Sequence, residues 1–312
     1  MNRILIGHIN PDSDTVCSPI AYSWYLNQKE KDSAKAYISG KLNHETEFIL
    51  KHFNIETPEI LNGFSEEQQV VIMDTNNFEE LLPNIEKAQI VEIVDHHKLF
   101  GNLKSEKPAT VTMLPLACTA TIVWQKIKAD TSVVVTPQIA GVMLCAIISD
   151  TLKFTSPTTT EIDKNAAEEL ASISNDSIDS LAESMFEAKS DLTGMSNRDI
   201  LTVDSKIFEM GSKKVRVSVM ETTNPQKVLE LKENLEKEIA AMKSEEKLNY
   251  MFFFVIDILK SEATVLTTTP EESQIAQNAF HQSLNGELLV LPGVVSRKKQ
   301  IIPSLEPVVA SI

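Results

Sequence analysis

Short apolar runs that end in polar residues recur along the first half of the chain. Three of these runs, at residues 3–6, 70–73 and 90–94, have the length of buried strands. Segments with apolar residues at helical spacing lie between and after them, including residues 137–148 and 161–173. Alternating strands and helices are typical of a mostly parallel sheet. The pattern predicts an α/β fold, with a doubly wound parallel sheet covered by helices on both faces.

The pattern changes near the middle of the chain. A chain of 312 residues is long enough for two domains. Residues 189–196 are small and polar, which is typical of a linker. We therefore expect an N-terminal domain over residues 1–188 and a smaller C-terminal mixed α/β domain over residues 197–312.

The elements of the second domain follow from local periodicity. Alternating apolar residues on both sides of Gly211 predict a hairpin over residues 207–220. A long charged helix is predicted over residues 225–243. Two further strands are predicted over residues 250–258 and 263–267.

Composition and charge narrow the class of protein. The formal net charge of −15 argues against a general nucleic-acid or membrane-surface binder, which would have a basic surface. The apolar run at residues 251–256 is too short to span a bilayer. The three cysteines lack C-x-x-C spacing and lie in apolar contexts, as reduced thiols do. We expect a cytoplasmic protein with neither nucleic-acid nor membrane partners; its cysteines are Cys17, Cys118 and Cys145.

Residues that can bind metal ions follow the three predicted strands of the first domain. The carboxyl ends of parallel strands lie along one edge of a sheet. We therefore expect these residues to converge, together with Asp150 at the end of the helix over residues 137–148. The full set is His8, Asp12, Asp14, Asp74, Asp95, His96, His97 and Asp150.

The chemistry of this set favours two divalent cations. Imidazole and carboxylate groups without a thiolate suit Mn²⁺, Co²⁺ or Mg²⁺ better than a structural zinc ion. Clustered carboxylates repel one another unless cations neutralise them. Two ions about 3.5–4 Å apart can bridge a water, lower its pKa and hold a phosphoryl group.

Each motif alone also fits a simpler structure. Residues 8–14 fit a capped helix start, and residues 95–97 fit a polar loop after a strand. Asp74 fits an ordinary turn, and Asp150 fits a helix end. A two-metal site accounts for all four motifs together, so we favour it.

A basic cluster lies near the end of the chain, at Arg297, Lys298 and Lys299. Such a run is usually a solvated surface. In an otherwise acidic chain it is a candidate phosphate-binding site, because Arg offers a planar fork to phosphate oxygens and Lys a point charge. We expect it to bind an anion that the metal ions also hold.

These motifs resemble those of a known family. They are His8-x-x-Pro11-Asp12-x-Asp14, Asp95-His96-His97, Ser149-Asp150-Thr151 with Ser156-Pro157-Thr158, and Ser296-Arg297-Lys298-Lys299-Gln300. Their order and sequence resemble the family II inorganic pyrophosphatases of the DHH phosphoesterase superfamily. The resemblance covers essentially the whole chain. Asp-His-His marks only the superfamily, whereas the terminal Ser-Arg-Lys-Lys-Gln is more specific.

The resemblance implies an activity and its cofactors. The expected reaction is hydrolysis of inorganic pyrophosphate to two phosphates by a metal-bridged water or hydroxide. Two Mn²⁺ or Co²⁺ ions per subunit are implied, with Mg²⁺ accompanying the substrate. A second domain of the DHHA2 type and a homodimer formed through the sheet edge of the first domain are also implied.

The resemblance also implies a role for each site residue. His8 and Asp12 would bind the first metal ion, Asp14, His96 and Asp150 the second, and Asp74 would bridge both. The catalytic residues would be His97, Asp14 and Asp74, and His97 would contact substrate phosphate and act as an acid. The substrate-binding residues would be His97, Lys206, Arg297 and Lys298.

One motif departs from the family pattern. The family usually has Asp-His-Asn-Glu where this chain has Asp74-Thr75-Asn76-Asn77. Asp74 is retained, so the bridging ligand is expected to remain. The alternatives are another DHH phosphoesterase, either an exopolyphosphatase or a phosphodiesterase of short oligonucleotides, and a non-catalytic protein that binds phosphate or metal ions.

Overall fold

The computed structural model of the chain describes residues 3–286 and 288–312. The chain forms two compact units, Met1–Ala188 and Lys189–Ile312.

The first unit contains a six-stranded sheet. Its strands are β1 (Arg3–Ile6), β2 (Ala34–Ile38), β3 (Glu59–Ile60), β4 (Gln69–Met73), β5 (Gln89–Asp95) and β6 (Thr110–Met113). They lie in the order β3-β2-β1-β4-β5-β6, and every neighbouring pair is parallel. The order changes direction between β1 and β4. In open parallel sheets, ligands bind outside the carboxyl ends of the strands at such a switch point.

The two faces of this sheet are covered differently. Leu5, Val71 and Val94 pack into a core to which six α-helices contribute. The alternate residues Ile4 and Ile72 face a second core, which is closed by two 3₁₀ turns and their flanking loops. The helices are α1 (Ser13–Lys29), α2 (His44–His52), α3 (Thr119–Lys128), α4 (Pro137–Asp150), α5 (Glu161–Ser174) and α6 (Ile178–Lys189).

The second unit contains a five-stranded mixed sheet. Its strands are β7 (Asp204–Met210), β8 (Lys213–Thr222), β9 (Tyr250–Asp257), β10 (Glu262–Leu266) and β11 (Leu289–Pro292). The order is β11-β10-β9-β8-β7, and only the β8–β9 pair is parallel among these neighbours. Phe252 and Phe253 of the central strand β9 lie in opposite cores, so both faces of this sheet are covered.

The described residues of the second unit form five helices. They are α7 (Asn197–Thr202), α8 (Pro225–Leu229), α9 (Lys232–Glu246), α10 (Pro270–Phe280) and α11 (Ile302–Ala310). A π-helical turn at Arg297–Ile301 precedes α11 and carries the basic cluster. The predicted hairpin is present as β7 and β8, with Gly211 at a φ of +63° in its turn. The predicted two-part α/β fold is confirmed, with the difference that 3₁₀ turns and loops, not α-helices, cover one face of the parallel sheet.

The prediction of one helix over residues 225–243 is wrong. The segment forms α8 and α9, which are separated at Leu231 (φ −89°, ψ 4°). Val228 and Leu235, on either side of the break, pack into the same core. The apolar periodicity therefore continues across the break, and no proline or glycine marks it. Residues 225–243 therefore contain no local signal of the break.

The three cysteines are free and buried. In the described residues, no helix combines the length and the apolar character that a membrane span requires.

Candidate metal centre and phosphate-binding residues

The predicted metal ligands meet at the carboxyl ends of β1, β4 and β5. His8 follows β1, Asp74 follows β4, and Asp95 ends β5. Three sets of side chains place ligand atoms within 4.8 Å of one another. These sets are His8, Asp12 and Asp74; Asp14, His96 and Asp150; and Asp74, His96 and His97. All six predicted ligands therefore lie in one cluster with His97.

Asp74 lies at the centre of the cluster. Its side chain is 2% exposed, and its oxygens face different imidazoles, with His8 Nε2 3.5 Å from Oδ2 and His96 Nε2 3.3 Å from Oδ1. The hydroxyls of Thr15 and Thr119 donate to Oδ2 at 2.6 Å and to Oδ1 at 3.1 Å. Two hydroxyl groups and two imidazoles therefore fix the position of the Asp74 carboxylate.

The backbone of Asp74 is strained. Its φ is +60°, a left-handed conformation that costs a non-glycine residue about 1–2 kcal/mol. Its N–H donates to Val94 O at 2.9 Å, which holds the turn against β5. Burial opposes the charge of the side chain, but hydrogen bonds from His8 and His96 hold its pKa below the usual range. Strain of this kind is concentrated at functional sites.

His8 and His96 are oriented in the same way. Nδ1 of His8 lies 2.8 Å from Ile9 O, and Nδ1 of His96 lies 3.0 Å from Leu116 O. A carbonyl oxygen only accepts, so Nδ1 carries a proton in both rings, and Nε2 faces Asp74. A carbonyl partner on the second ring nitrogen is the usual arrangement of a metal-binding histidine.

The electric field of the cluster attracts cations. Burial disfavours a charged His8, but hydrogen bonds to Asp12 and Asp74 outweigh burial and raise its pKa to about 11. Burial likewise opposes the charge of His96, whose pKa the hydrogen bond to Asp74 raises to about 9. Within the described part of the chain, the ion pairs of Asp12 and Asp74 are all with histidines.

Asp14 provides a further fully buried carboxylate, and Asp150 provides a half-buried one. Asp14 accepts the N–H groups of Thr119 at 2.6 Å and Ala120 at 3.0 Å, and the hydroxyl of Ser18. It therefore joins the start of α3 to the start of α1. Burial and the negative charge of Asp74 raise the pKa of Asp14 to about 7. Burial and the charge of Asp14 raise the pKa of Asp150 well above its usual value.

The donor set fits two hard divalent cations. It offers carboxylate oxygens and imidazole nitrogens without a thiolate, which suits Mn²⁺ or Co²⁺. Burying several carboxylates together is costly unless positive charge offsets them. The residues present therefore fit the metal ions that the sequence predicts.

Asp95 and His97 form a pair beside this cluster. Asp95 is fully buried, and its Oδ1 lies 3.0 Å from Nδ1 of His97 and accepts the backbone N–H of His97 at 3.1 Å. The hydrogen bond to Asp95 raises the pKa of His97 in spite of burial. Although Asp95 belongs to the Asp-His-His motif, its carboxylate orients His97 and is in none of the three ligand sets.

The loop that departs from the family pattern fixes the neighbouring segment. Nδ2 of Asn76 donates to Asp95 Oδ2 at 2.5 Å and to Lys98 O at 2.9 Å. Asn77 Oδ1 accepts Nδ2 of Asn102 at 2.7 Å, while the Thr75 hydroxyl donates to a nearby glutamate. This role of Asn76 was not predicted from the sequence. The position of Asn76, two residues after Asp74, is the signal that could have indicated it.

Gly7 allows the close approach on which the site depends. A Cβ atom at this position would lie 2.6 Å from Thr15 Cγ2 and 2.9 Å from Met73 O. A side chain here would push apart the end of β1, the start of α1 and the end of β4.

Apart from His97, the predicted phosphate-binding residues lie in the second unit. Arg297 Nη1 lies 2.6 Å from Asp204 Oδ1. Asp204 and Lys206 are two residues apart on β7 and therefore share a face of that strand. Arg297 and Lys206 thus belong to one surface, and Lys298 is exposed on the turn beside Arg297.

Gln300 fixes the segment that carries these basic residues. Its Oε1 accepts the backbone N–H groups of Val295 and Ser296 at 2.9 Å, and its Nε2 donates to Gly293 O at 2.7 Å. The last residue of the Ser-Arg-Lys-Lys-Gln motif therefore has a structural role that sequence reasoning did not assign.

Comparisons with known proteins agree with this architecture. Residues 3–147 match the sequence profile of the DHH family, N-terminal domain, and residues 183–308 match that of the DHHA2 domain. A Bacteroides fragilis structure described as an exopolyphosphatase-related protein has the same fold, with 12% identity, a TM-score of 0.50 and coverage of 99% and 92% of the two chains.

More similar proteins match over nearly the full length. Two relatives are named probable manganese-dependent inorganic pyrophosphatase. The protein from Bacillus licheniformis is 38% identical to this chain over 307 residues, which cover 98% of each chain. The protein from Staphylococcus saprophyticus is 36% identical over 301 residues, which cover 96% of each chain. The crystal structure of a putative family II inorganic pyrophosphatase from Methanococcus jannaschii is 29% identical, with a TM-score of 0.67 over 98% of this chain and 99% of that one. On this full-length similarity, the chain belongs to the family of manganese-dependent, family II inorganic pyrophosphatases.

Proposed function

We propose that the protein hydrolyses inorganic pyrophosphate to two orthophosphates, using two Mn²⁺ or Co²⁺ ions per subunit while Mg²⁺ accompanies the substrate. The names of the relatives support the substrate and the manganese dependence. The observation that carries the two-metal proposal is the position of Asp74, whose two oxygens face different histidines.

Two ligand sets account for two ions. His8 and Asp12 would hold the first ion, and Asp14, His96 and Asp150 the second. Asp74 would serve both ions. When bound, such ions lower the pKa of a coordinated water and polarise phosphoryl oxygens.

His97 is the proposed acid. Asp95 holds its Nδ1, so Nε2 is the atom available to the substrate. The raised pKa of His97 favours the protonated ring, which can bind a phosphate oxygen and donate a proton as the phosphoanhydride bond breaks.

Lys206, Arg297 and Lys298 are the proposed substrate-binding residues of the second unit. The guanidinium of Arg297 can bind two phosphate oxygens at once. Its pairing with Asp204 limits the directions in which it can point. We further propose that residues 1–188 bind the metal ions, residues 197–312 bind substrate and residues 189–196 join the two domains.

The homodimer and the cytoplasmic location remain predictions. The outer strand β6 exposes 56% of Val111, which supports a contact with another subunit at this edge. Light scattering on the purified protein would test the dimer.

The test of function is phosphate release after metal removal. The protein would be stripped with a chelator and then given Mn²⁺, Co²⁺, Mg²⁺ or Zn²⁺ separately, with magnesium pyrophosphate as substrate. We expect Mn²⁺ or Co²⁺ to restore the highest rate. Tripolyphosphate and a dinucleotide serve as comparison substrates, because preference for either would indicate another DHH phosphoesterase. Tight Mn²⁺ binding without turnover of any of them would indicate a binding protein.

A further inference from the structure

A buried glutamate lies beside the metal centre without belonging to it. Glu45 is 1% exposed and lies in the first turn of α2. Its Oε2 accepts the hydroxyl of Ser13 at 3.0 Å and the hydroxyl of Ser149 at 2.8 Å. Both serines are buried as well, with 0% and 6% exposure.

Glu45 stands near the N-terminus of α2, in its first turn. Carboxylates near a helix N-terminus are stabilised by the helix dipole. The helix is capped by Asn43, whose Oδ1 accepts the N–H of Thr46 at 2.7 Å. The hydroxyl of Thr46 lies 3.1 Å from that of Ser13, which ties the same turn of α2 to the start of α1 a second time.

The two serines are immediate neighbours of metal ligands. Ser13 stands between Asp12 and Asp14 at the start of α1. Ser149 precedes Asp150 at the end of α4. One oxygen of Glu45 therefore joins two helix ends, distant in sequence, that carry half of the predicted ligands. A shift of the α1 end would move one carboxylate of each proposed metal position, and a shift of the α4 end would move Asp150 of the second.

We propose that Glu45 is a positioning residue of the metal centre, which acts through Ser13 and Ser149 on the placement of Asp12, Asp14 and Asp150. This inference rests on the metal site of the proposed function. Groups that orient metal ligands without touching the ion typically change metal affinity by about 10–100-fold when they are removed.

The test is Mn²⁺ binding by the full-length, chelator-stripped protein in the absence of pyrophosphate. Isothermal titration calorimetry would give the dissociation constant and the number of sites. We expect Ser13→Ala and Ser149→Ala each to raise the dissociation constant by about 10-fold, and Glu45→Ala by up to about 100-fold. Glu45→Gln keeps an acceptor oxygen for both hydroxyls, so we expect it to recover most of the affinity.

A double-mutant cycle separates positioning from independent effects. If Ser149 acts through Glu45, adding Ser149→Ala to Glu45→Ala should change the affinity far less than it does in the wild type. Additive effects would contradict the proposal. If Glu45→Ala fails to fold, the two single serine variants and Glu45→Gln still decide the question.

Ser33→Ala is the matched control. Ser33 is a buried serine of the first unit, and its hydroxyl donates to Leu26 O at 3.2 Å. It precedes β2, at the opposite end of the sheet from the metal centre. We expect this variant to lose stability without losing Mn²⁺ affinity.

The outcomes distinguish this proposal from the proposed function. Folded serine variants with the wild-type dissociation constant would overturn the role of Glu45, even in an active pyrophosphatase. A wild-type protein that binds two Mn²⁺ ions but does not hydrolyse pyrophosphate would contradict the function, whereas weakened binding in the variants would still support the positioning role.

Discussion

Nδ1 of His97 lies 3.0 Å from Oδ1 of Asp95, a carboxylate that is fully buried at the end of β5. Asn76 holds the other oxygen of the same carboxylate at 2.5 Å. Both oxygens of Asp95 are therefore held by hydrogen bonds, and Asp95 in turn fixes the ring orientation of His97. Its side chain is 46% exposed, so the opposite nitrogen can reach a bound ligand.

The pairing predicts a pH effect of Asp95→Asn. The hydrogen bond to Asp95 raises the pKa of His97, so the ring keeps its proton to higher pH. Without the carboxylate, the pKa falls and the proton is lost at lower pH. Because an acid works only while protonated, the alkaline decline of kcat should begin at lower pH in the variant.

The measurement is kcat between about pH 6 and pH 10 at saturating Mn²⁺. His97→Gln is the companion variant, and we expect it to lower kcat by about 10²–10⁴-fold, as removal of a general acid does. An unchanged alkaline limb in Asp95→Asn would show that His97 does not act as the acid under the control of Asp95.

Asp74→Asn should remove a metal ion. The substitution keeps the size of the side chain but leaves one oxygen, instead of two, that can bind a metal ion. We expect Mn²⁺ affinity to fall by more than about 100-fold at one site, since changes outside the ligand shell already cost 10–100-fold. Pyrophosphate hydrolysis should be nearly abolished. Metal content by mass spectrometry and the rate would be measured on the same sample.

Asp163→Asn is a suitable comparison for that variant. Asp163 is a fully buried carboxylate of the same unit that accepts the N–H of Thr160 at 2.9 Å and the hydroxyl of Thr121 at 2.7 Å. It lies in none of the three ligand sets, so its loss should lower stability without changing the metal content. Full metal content and a normal rate in Asp74→Asn would exclude Asp74 from the site.

The position of the site was predictable because its residues lie at the carboxyl ends of the strands. Short apolar runs with His or Asp within two residues of their ends indicate which residues gather at the edge of a parallel sheet, and His8, Asp74 and His96 do lie together there. The family motifs supplied the rest of the ligand set.

The supporting contacts could not be predicted in this way. Thr15 and Thr119 donate to Asp74 from two helices. Glu45 reaches Ser13 and Ser149 from a third helix. Hydroxyl residues are common and these have no characteristic spacing, because their partners are set by tertiary packing.

Lys298→Ala should chiefly weaken substrate binding. A hydrogen bond to a charged group contributes about 1.5–3 kcal/mol, so we expect KM for magnesium pyrophosphate to rise by about 10–100-fold. Lys299→Ala is the matched control, since the neighbouring lysine is also exposed but has no assigned phosphate contact. Equal effects of the two substitutions would indicate general charge attraction, and no effect of Lys298→Ala would remove it from the substrate site.

The second unit contains a buried ion pair that makes its stability depend on pH. Glu272 is fully buried and accepts Lys243 Nζ at 2.6 Å and the N–H groups of Met251 at 3.0 Å and Thr268 at 2.9 Å. Burial alone would raise the pKa of Glu272, but the hydrogen bond from Lys243 and the other donors hold it below 4.5. The Glu272 carboxylate therefore binds a proton less readily in the folded state than in the unfolded chain.

The ionised Glu272 stabilises the folded state above the unfolded pKa of 4.5, and this contribution is lost as pH falls through the lower folded pKa. Glu272→Gln leaves Lys243 without its carboxylate, so we expect the free energy of unfolding at pH 7 to fall by about 3–5 kcal/mol. The difference from the wild type should shrink towards pH 3. Urea denaturation at both pH values measures it, with the exposed neighbour Glu271→Gln as control. A difference that stays constant with pH would mean that the charge of Glu272 contributes nothing beyond its packing.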